Sequence, residues 1–259
     1  MKYDNNKFYK VTKKINNDNV SFVIQFTDDL KQSGIDSDEF RVELKNVFDS
    51  SIPWSNPEYD DGFQDHYFDN VDTAVFIRSG DGELIALSIA FKIEREDDYI
   101  LYIAGIWVND KYKKIGLGKI LIEEIIFNSI TDDSIDKYSN VFVSLRTQNP
   151  QLYYYLSTRF DVYPHRDKEI TKEIADVGDY INQMFSPTKT YESDSLIVRN
   201  VFPKGIIVGS HHPSRDEEIN NYVQGLLNIE EGDSFIMIIP FSNDENNTQQ
   251  DVFDLLRYA

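Results

Sequence analysis

The chain has 259 residues, 41% of them hydrophobic and 14% aromatic, which is enough for one large domain or a domain with an appendage. It contains no cysteine, which excludes disulfides, thiolate zinc sites and a cysteine nucleophile. With 45 acidic against 26 basic residues the formal net charge is -19, which argues against sequence-independent binding to nucleic acid and favours cationic partners, a role in solubility alone being the equal alternative.

No stretch is apolar for the length of a membrane span, and the start, MKYDNNKFYKVTKK, lacks a signal-peptide block, so a cytoplasmic protein without membrane contact is expected. A first strand is predicted at Val20 to Phe26, followed by a capping group at Thr27 to Asp29. Asp38 to Phe48 reads as an amphipathic helix with Phe40, Val42, Leu44, Val47 and Phe48 as its apolar face. Residues Ser50 to Asn70, with two prolines, aromatics and acidic groups, break the pattern into a loop or short helices suited to a substrate mouth.

Thr73 to Arg78 and Glu83 to Ile93 flank Ser79-Gly80-Asp81-Gly82, whose Asp-Gly pair predicts a tight hairpin. Tyr99 to Val108 continues the antiparallel meander after the acidic link Glu94 to Asp98. A helix begins at Gly116, with Leu117, Ile120, Leu121, Ile125 and Ile126 on its apolar face and Glu123 and Glu124 on its wet one. Val141 to Leu145 is a short strand, and Asn149-Pro150 opens a helix through Tyr155, with Asn at the cap and Pro in the first turn. Beyond it a helix is expected at Asp167 to Phe185, a strand at Leu196 to Phe202, a helix at Arg215 to Leu227 and a strand at Phe235 to Phe241.

The segment Lys113-Lys114-Ile115-Gly116-Leu117-Gly118-Lys119 lies where a strand hands over to a helix. Backbone N–H groups can converge there at the positive end of the helix dipole. The string alone fits a phosphate cradle and a plain glycine turn with solvated lysines equally well. A Walker A loop would need a glycine at Lys113 and a hydroxyl residue at Ile120; a dinucleotide fingerprint would need a glycine at Leu121 and an initial βαβ strand.

In IWVNDKYKKIGLGKILIEEI the pattern resembles the central motif of the GNAT N-acyltransferases, Arg or Gln followed by two residues, Gly, one residue and Gly or Ala, with Lys113, Gly116 and Gly118 in the key positions. The order of elements from Val20 to Tyr163 is similar to that family's. The resemblance implies an α/β (α+β) fold with a mixed, largely antiparallel central sheet flanked by helices. Residues 1–163 would form this acyltransferase core. Residues 164–259 would be an α/β extension that either completes the core sheet or makes a small second lobe.

The resemblance also implies acetyl-CoA, or another acyl-CoA, as co-substrate and no metal. The strand at Ile106, Trp107 and Val108 would pair with the pantetheine arm, Lys113 and the backbone from Lys114 through Ile115, Gly116, Leu117 and Gly118 to Lys119 would take the pyrophosphate, and Asn149 would lie near the pantetheine. Tyr155, in a segment similar to the family's Tyr-Glu-Lys-Leu-Gly-Phe, is the implied acid for the departing thiolate, with Tyr154 as the alternative. Arg159 stands where the family has glycine, and the spacing from Asn149 is one residue short.

The implied activity is transfer of an acyl group to a primary amine, on a small molecule or a protein, by direct attack in a ternary complex. Asp60, Asp61, Asp65 and Asp69 are candidates for holding a cationic acceptor, while Glu94 to Asp98 read as a solvated turn and no general base stands out. His66, His165, His211 and His212 lack metal-site spacing, and Ser144 and Ser157 lack the partners of a nucleophile. Two rivals remain: a catalytically inactive acyl-CoA-binding or protein-interaction module, and a catalytic core whose residues after Ser186 serve partner or homodimer recognition.

Overall fold

The computed structural model describes residues 6–15, 18–28, 38–51, 71–130, 135–202 and 213–242. Packing divides the chain into two units, residues 1–141 with 242–259, and residues 142–241. Their fold is mixed α/β, with strands that pair largely antiparallel and helices packed against them.

The first unit carries β1 (Asn6–Ile15), β2 (Asp18–Thr27), α1 (Asp38–Ser51), β3 (Thr73–Ser79), β4 (Leu84–Arg95), β5 (Asp98–Val108) and α2 (Leu117–Ile130). Its strands form an antiparallel meander in chain order. β1 is an addition to the strands predicted from sequence. Its lysines at 7, 10, 13 and 14 suit an outer strand while hiding the apolar alternation that announces one. The β3–β4 hairpin forms where the Asp-Gly pair predicts it, closed by Ser79 N–H to Glu83 O at 2.9 Å and Gly82 N–H to Ser79 O at 3.0 Å.

β3 and β4 are buried on both faces along most of their length, which explains their nearly unbroken apolar runs. α1 covers one face of the sheet through Phe40, Leu44, Val47 and Phe48, which cluster with Phe76, Leu87 and Trp107. Phe40 meets Phe76 edge to face at 5.3 Å. Val42, expected on that apolar face, is 60% exposed, because it falls outside the i, i+4, i+7, i+8 stripe that the four buried residues define. On α2 the buried residues are Leu117, Leu121, Ile122, Ile125, Ile126 and the helix end at Asn128 to Ile130.

β5 pairs with β4 in a register that slips between Ile89, opposite Gly105, and Ala90, opposite Ile103. Ala104 is the extra residue of a β-bulge. Just beyond the bulge the indole of Trp107 folds back over Gly105, where an added Cβ would lie 1.8 Å from Trp107 Cη2. Trp107 then reaches Phe48 of α1, centroids 4.6 Å apart.

The second unit holds β6 (Asn140–Thr147) from Phe142 onward, α3 (Pro150–Ser157), α4 (Lys172–Phe185), β7 (Tyr191–Glu192), β8 (Ile197–Val198), α5 (Glu217–Leu226) and β9 (Ser234–Ser242) up to Phe241. Its strands lie in the order β6-β9-β8-β7. Ser144 Oγ donates to Met237 O at 2.7 Å and Gln148 Nε2 to Asp233 O at 2.5 Å, so β9 runs antiparallel beside β6. Residues 142–163 therefore pack with residues 164–241 in this unit.

The strand expected at Leu196 to Phe202 is reduced to Ile197–Val198. Positive φ at Leu196 (56°) and Asn200 (53°) turns the backbone out of the extended path on either side. The helix expected from Asp167 starts at Lys172, because Thr171 caps it by accepting from Ile174 N–H at 3.3 Å.

Gly105→Ala should cost about 1–3 kcal/mol by forcing Trp107 off its seat, read as a lower urea midpoint and altered tryptophan emission; unchanged values of both would contradict this packing.

Candidate functional site

The turn that follows β5 is built from local chemistry. Asn109 N–H donates to Ile85 O at 2.9 Å, which ends the ladder with β4. Its side-chain oxygen accepts from Lys111 N–H at 3.1 Å and caps a short 3-10 turn over Asp110–Tyr112. The chain then passes through two positive φ values, 67° at Lys114 and 86° at Gly116, and α2 begins. The bond from Ile120 N–H to Gly116 O, 3.2 Å, is the first across its start.

Among the described residues the N–H groups of Leu117 and Gly118 have no acceptor, as expected for the first turn of a helix. An added Cβ at Gly118 would meet nothing within 4 Å, so no packing in the described protein requires glycine there. Two donors, the positive end of a helix and open approach at Gly118 are features with which an anion could pair.

The lysines of the motif divide in role. Lys113 Nζ donates to Ser51 O, the last residue of α1, at 2.9 Å and lies 3.1 Å from Asp110, so its charge is held at the C-terminal end of α1. Lys119 pairs with Glu123 at 3.6 Å. Lys114 is exposed and has no ion pair among the described residues, leaving its ammonium free to meet an incoming anion. Ile115, between them, is half-buried.

The three β5 residues also separate. Since Asn109 and Ile85 are a hydrogen-bonded pair, the alternation of an antiparallel ladder gives Trp107 and Leu87 the next such pair. Ile106 and Val108, opposite Ser88 and Ala86, turn their N–H and C=O groups away from β4. Trp107 is a core residue by ring and by backbone. Ile106 and Val108 are the two whose backbone could pair with an extended ligand.

In the second unit Asn149 caps α3, its side-chain oxygen accepting from Gln151 N–H at 2.9 Å and Leu152 N–H at 3.4 Å. The cap is steadied from behind by Asn149 N–H to Thr147 Oγ1, 2.9 Å. The three tyrosines of α3 have three fates. Tyr153 is buried, donates to Pro164 O at 2.9 Å and packs on Tyr222 and Phe235, and burial pushes its phenol well above the ordinary range. Tyr154 Oη accepts from Arg215 Nε at 2.6 Å, with that guanidinium 5.0 Å from its ring. Tyr155 is half-buried beneath Arg159, whose guanidinium carbon lies 4.1 Å from the ring centroid.

The contact of Arg215 with Tyr154 is one that the sequence does not announce, because it joins residues far apart in the chain. Asp60, Asp61, Asp65, Asp69, His66, His211 and His212 lie outside the described residues. The turn from Glu94 to Asp98 is tied by Arg95 to Asp98 (3.5 Å), Lys137 to Glu94 (3.4 Å) and Asn140 Nδ2 to Asp98 (2.9 Å). Ser144 and Ser157 donate to backbone carbonyls, and His165 Nδ1 accepts from Asp167 N–H at 3.1 Å.

Residues 41–153 match the model of the acetyltransferase (GNAT) family. The match spans the glycine turn and Asn149 and ends before Tyr155. No curated protein matches the sequence. Among solved structures the chain is similar to the ribosomal-protein-S18-alanine N-acetyltransferase of Escherichia coli, at 16% identity over 82% of this chain and 94% of that one, TM-score 0.36. It is similar to Naa50 of Arabidopsis thaliana in complex with the bisubstrate analogue CoA-Ac-MVNAL, at 12% identity over 78% and 93%, TM-score 0.38. It is also similar to a GNAT-family acetyltransferase of Listeria monocytogenes, at 12% identity over 61% and 95%, TM-score 0.39.

Asn149→Ala removes both capping bonds and should lower stability by about 1 kcal/mol, whereas Asn149→Asp should retain most of it; equal urea midpoints for Ala and wild type would refute the capping role.

Proposed function

We propose that the protein is an acyl-CoA-dependent N-acyltransferase that moves an acetyl or similar acyl group to a primary amine. The observation that carries this is the start of α2, where the N–H groups of Leu117 and Gly118 are unengaged among the described residues and Gly118 opens onto free space, within the segment that matches the GNAT family. A pyrophosphate fits such a cradle because its oxygens accept from the two amides and its charge meets the helix dipole. Lys114 adds a cation at the rim, and Lys113 holds the turn to the end of α1.

An acyl-CoA supplies an activated thioester carbonyl. The backbone of Ile106 and Val108 hydrogen-bonds the arm of the co-substrate as an added strand would, which fixes the thioester for attack by the amine. Asn149, whose oxygen is committed to the cap, has its carboxamide N–H groups to offer. The departing thiolate needs a proton, and Tyr155 is our candidate to give it. Tyr153 already donates its proton to Pro164 O, and Tyr154, whose Oη accepts from Arg215, is the alternative donor on α3. Asp60, Asp61, Asp65 and Asp69 are our candidates for drawing in a cationic acceptor.

Incubation with acetyl-CoA and a panel of amines, followed by mass spectrometry, should give an acetylated amine that depends on the protein, formed more slowly by Tyr155→Phe. Acetyl-CoA binding without transfer to any amine would instead favour a non-catalytic binding module, and absence of binding would refute both. Gly118→Ala separates cofactor contact from folding. It should leave stability unchanged or raise it by up to about 1 kcal/mol, while acetyl-CoA affinity, measured calorimetrically, falls roughly tenfold; unaltered affinity would place the pyrophosphate elsewhere.

A further inference from the structure

In the second unit a buried carboxylate is clamped from several sides. Asp233, 3% exposed, immediately precedes β9 and accepts from Arg199 Nη1 at 2.6 Å, Asn200 N–H at 3.0 Å and Asn228 N–H at 3.0 Å. Arg199 is fixed in turn: its Nε and Nη2 meet the two oxygens of Glu192 at 2.7 and 2.8 Å, and Nη1 also reaches Leu226 O at 3.1 Å. A buried carboxylate held by a charged fork and two amides cannot swing without leaving charge unpaired. The backbone of Asp233 is therefore held with its side chain.

That backbone has a partner 85 residues away: Asp233 O accepts from Gln148 Nε2 at 2.5 Å. Gln148, 2% exposed, is the residue between the end of β6 and Asn149. A buried glutamine is tolerated while its amide is bonded, so this contact ties the exit of β6 to Asp233. Asn149 follows at once, with its N–H on Thr147 Oγ1 and its side-chain oxygen on the amides of Gln151 and Leu152. Those bonds orient the carboxamide, with Oδ1 toward the start of α3 and Nδ2 on its other branch. Where that group stands depends on where Gln148 is held.

We propose that Gln148 and Asp233 are positioning residues for the co-substrate: Asp233, clamped by Arg199, holds Gln148, and Gln148 sets the carboxamide of Asn149 against the arm of the acyl-CoA. The inference rests on the acyl-CoA reading, and it gives residues beyond Ser186 a share in co-substrate affinity.

The test is a double-mutant cycle on the full chain, with Asn149→Ala and with Gln148→Met, which keeps the length of the side chain and removes its donor. At a temperature where every variant is folded, Gln148→Met should weaken acetyl-CoA binding roughly fivefold, the worth of about one hydrogen bond. In the Asn149→Ala background that effect should vanish, since Gln148 acts through Asn149. A purely structural role would lower the melting temperature and leave the affinity of the folded protein unchanged, or weaken binding equally in both backgrounds; either result overturns the proposal. Asp233→Asn, which keeps an acceptor for Asn200 N–H and loses the charge that holds Arg199, should repeat the pattern, and it decides if Gln148→Met does not fold. Hydrogen exchange without ligand tests the positioning by itself: the Gln151 and Leu152 N–H groups should exchange faster in Gln148→Met than in wild type, and equal rates overturn it. Wild type that binds no acetyl-CoA overturns the acyl-CoA reading and with it the role in co-substrate binding, even where exchange upholds the tie from Gln148 to Asn149.

Discussion

Helix α2 begins where it does because Gly116 takes a φ of 86° and its carbonyl receives Ile120 N–H. That single turn reverses the chain after β5 and leaves the amides of Leu117 and Gly118 facing outward. Everything upstream serves to hold it still. The Asn109 cap ends β5, Lys113 reaches back to Ser51 on α1, and Trp107 locks the strand against Phe48 across the bulge. Downstream, Leu117 is already buried, so the helix is anchored from its first residue while its opening amides remain available.

The division of labour within β5 follows from the pleat. Alternate residues bond to β4, and those between turn their backbone groups away from it, so one strand both closes the core and presents a second edge. The bulge at Ala104 coincides with the change from fully buried residues, Tyr99 to Ile103, to half-buried ones. Trp107 could not fold back over its own strand with any side chain at residue 105. Packing and site geometry are thus set by the same few residues.

What the sequence made legible was local. Doubly buried strands read as apolar runs, the Asp-Gly pair announced the hairpin, and the glycines and Asn149 marked the turn and the cap because their chemistry acts on neighbouring backbone. What it concealed was tertiary or conformational. β1 was hidden by its lysines, and the apolar string from Leu196 to Phe202 disguised two positive φ values. The partners of the site residues, Ser51 for Lys113 and Arg215 for Tyr154, are separated by long stretches of chain and leave no local pattern. Roles for Asp60, Asp61, Asp65 and Asp69 were legible only as acidity near a predicted mouth.

We propose that the opening amides of α2 hold the pyrophosphate of an acyl-CoA. It is tested most directly by following backbone amide resonances of the full chain during titration with acetyl-CoA. The N–H signals of Leu117 and Gly118 should shift markedly and exchange more slowly with solvent as the ligand saturates. Saturable binding of acetyl-CoA that leaves both signals unmoved, or no binding at all, would contradict it.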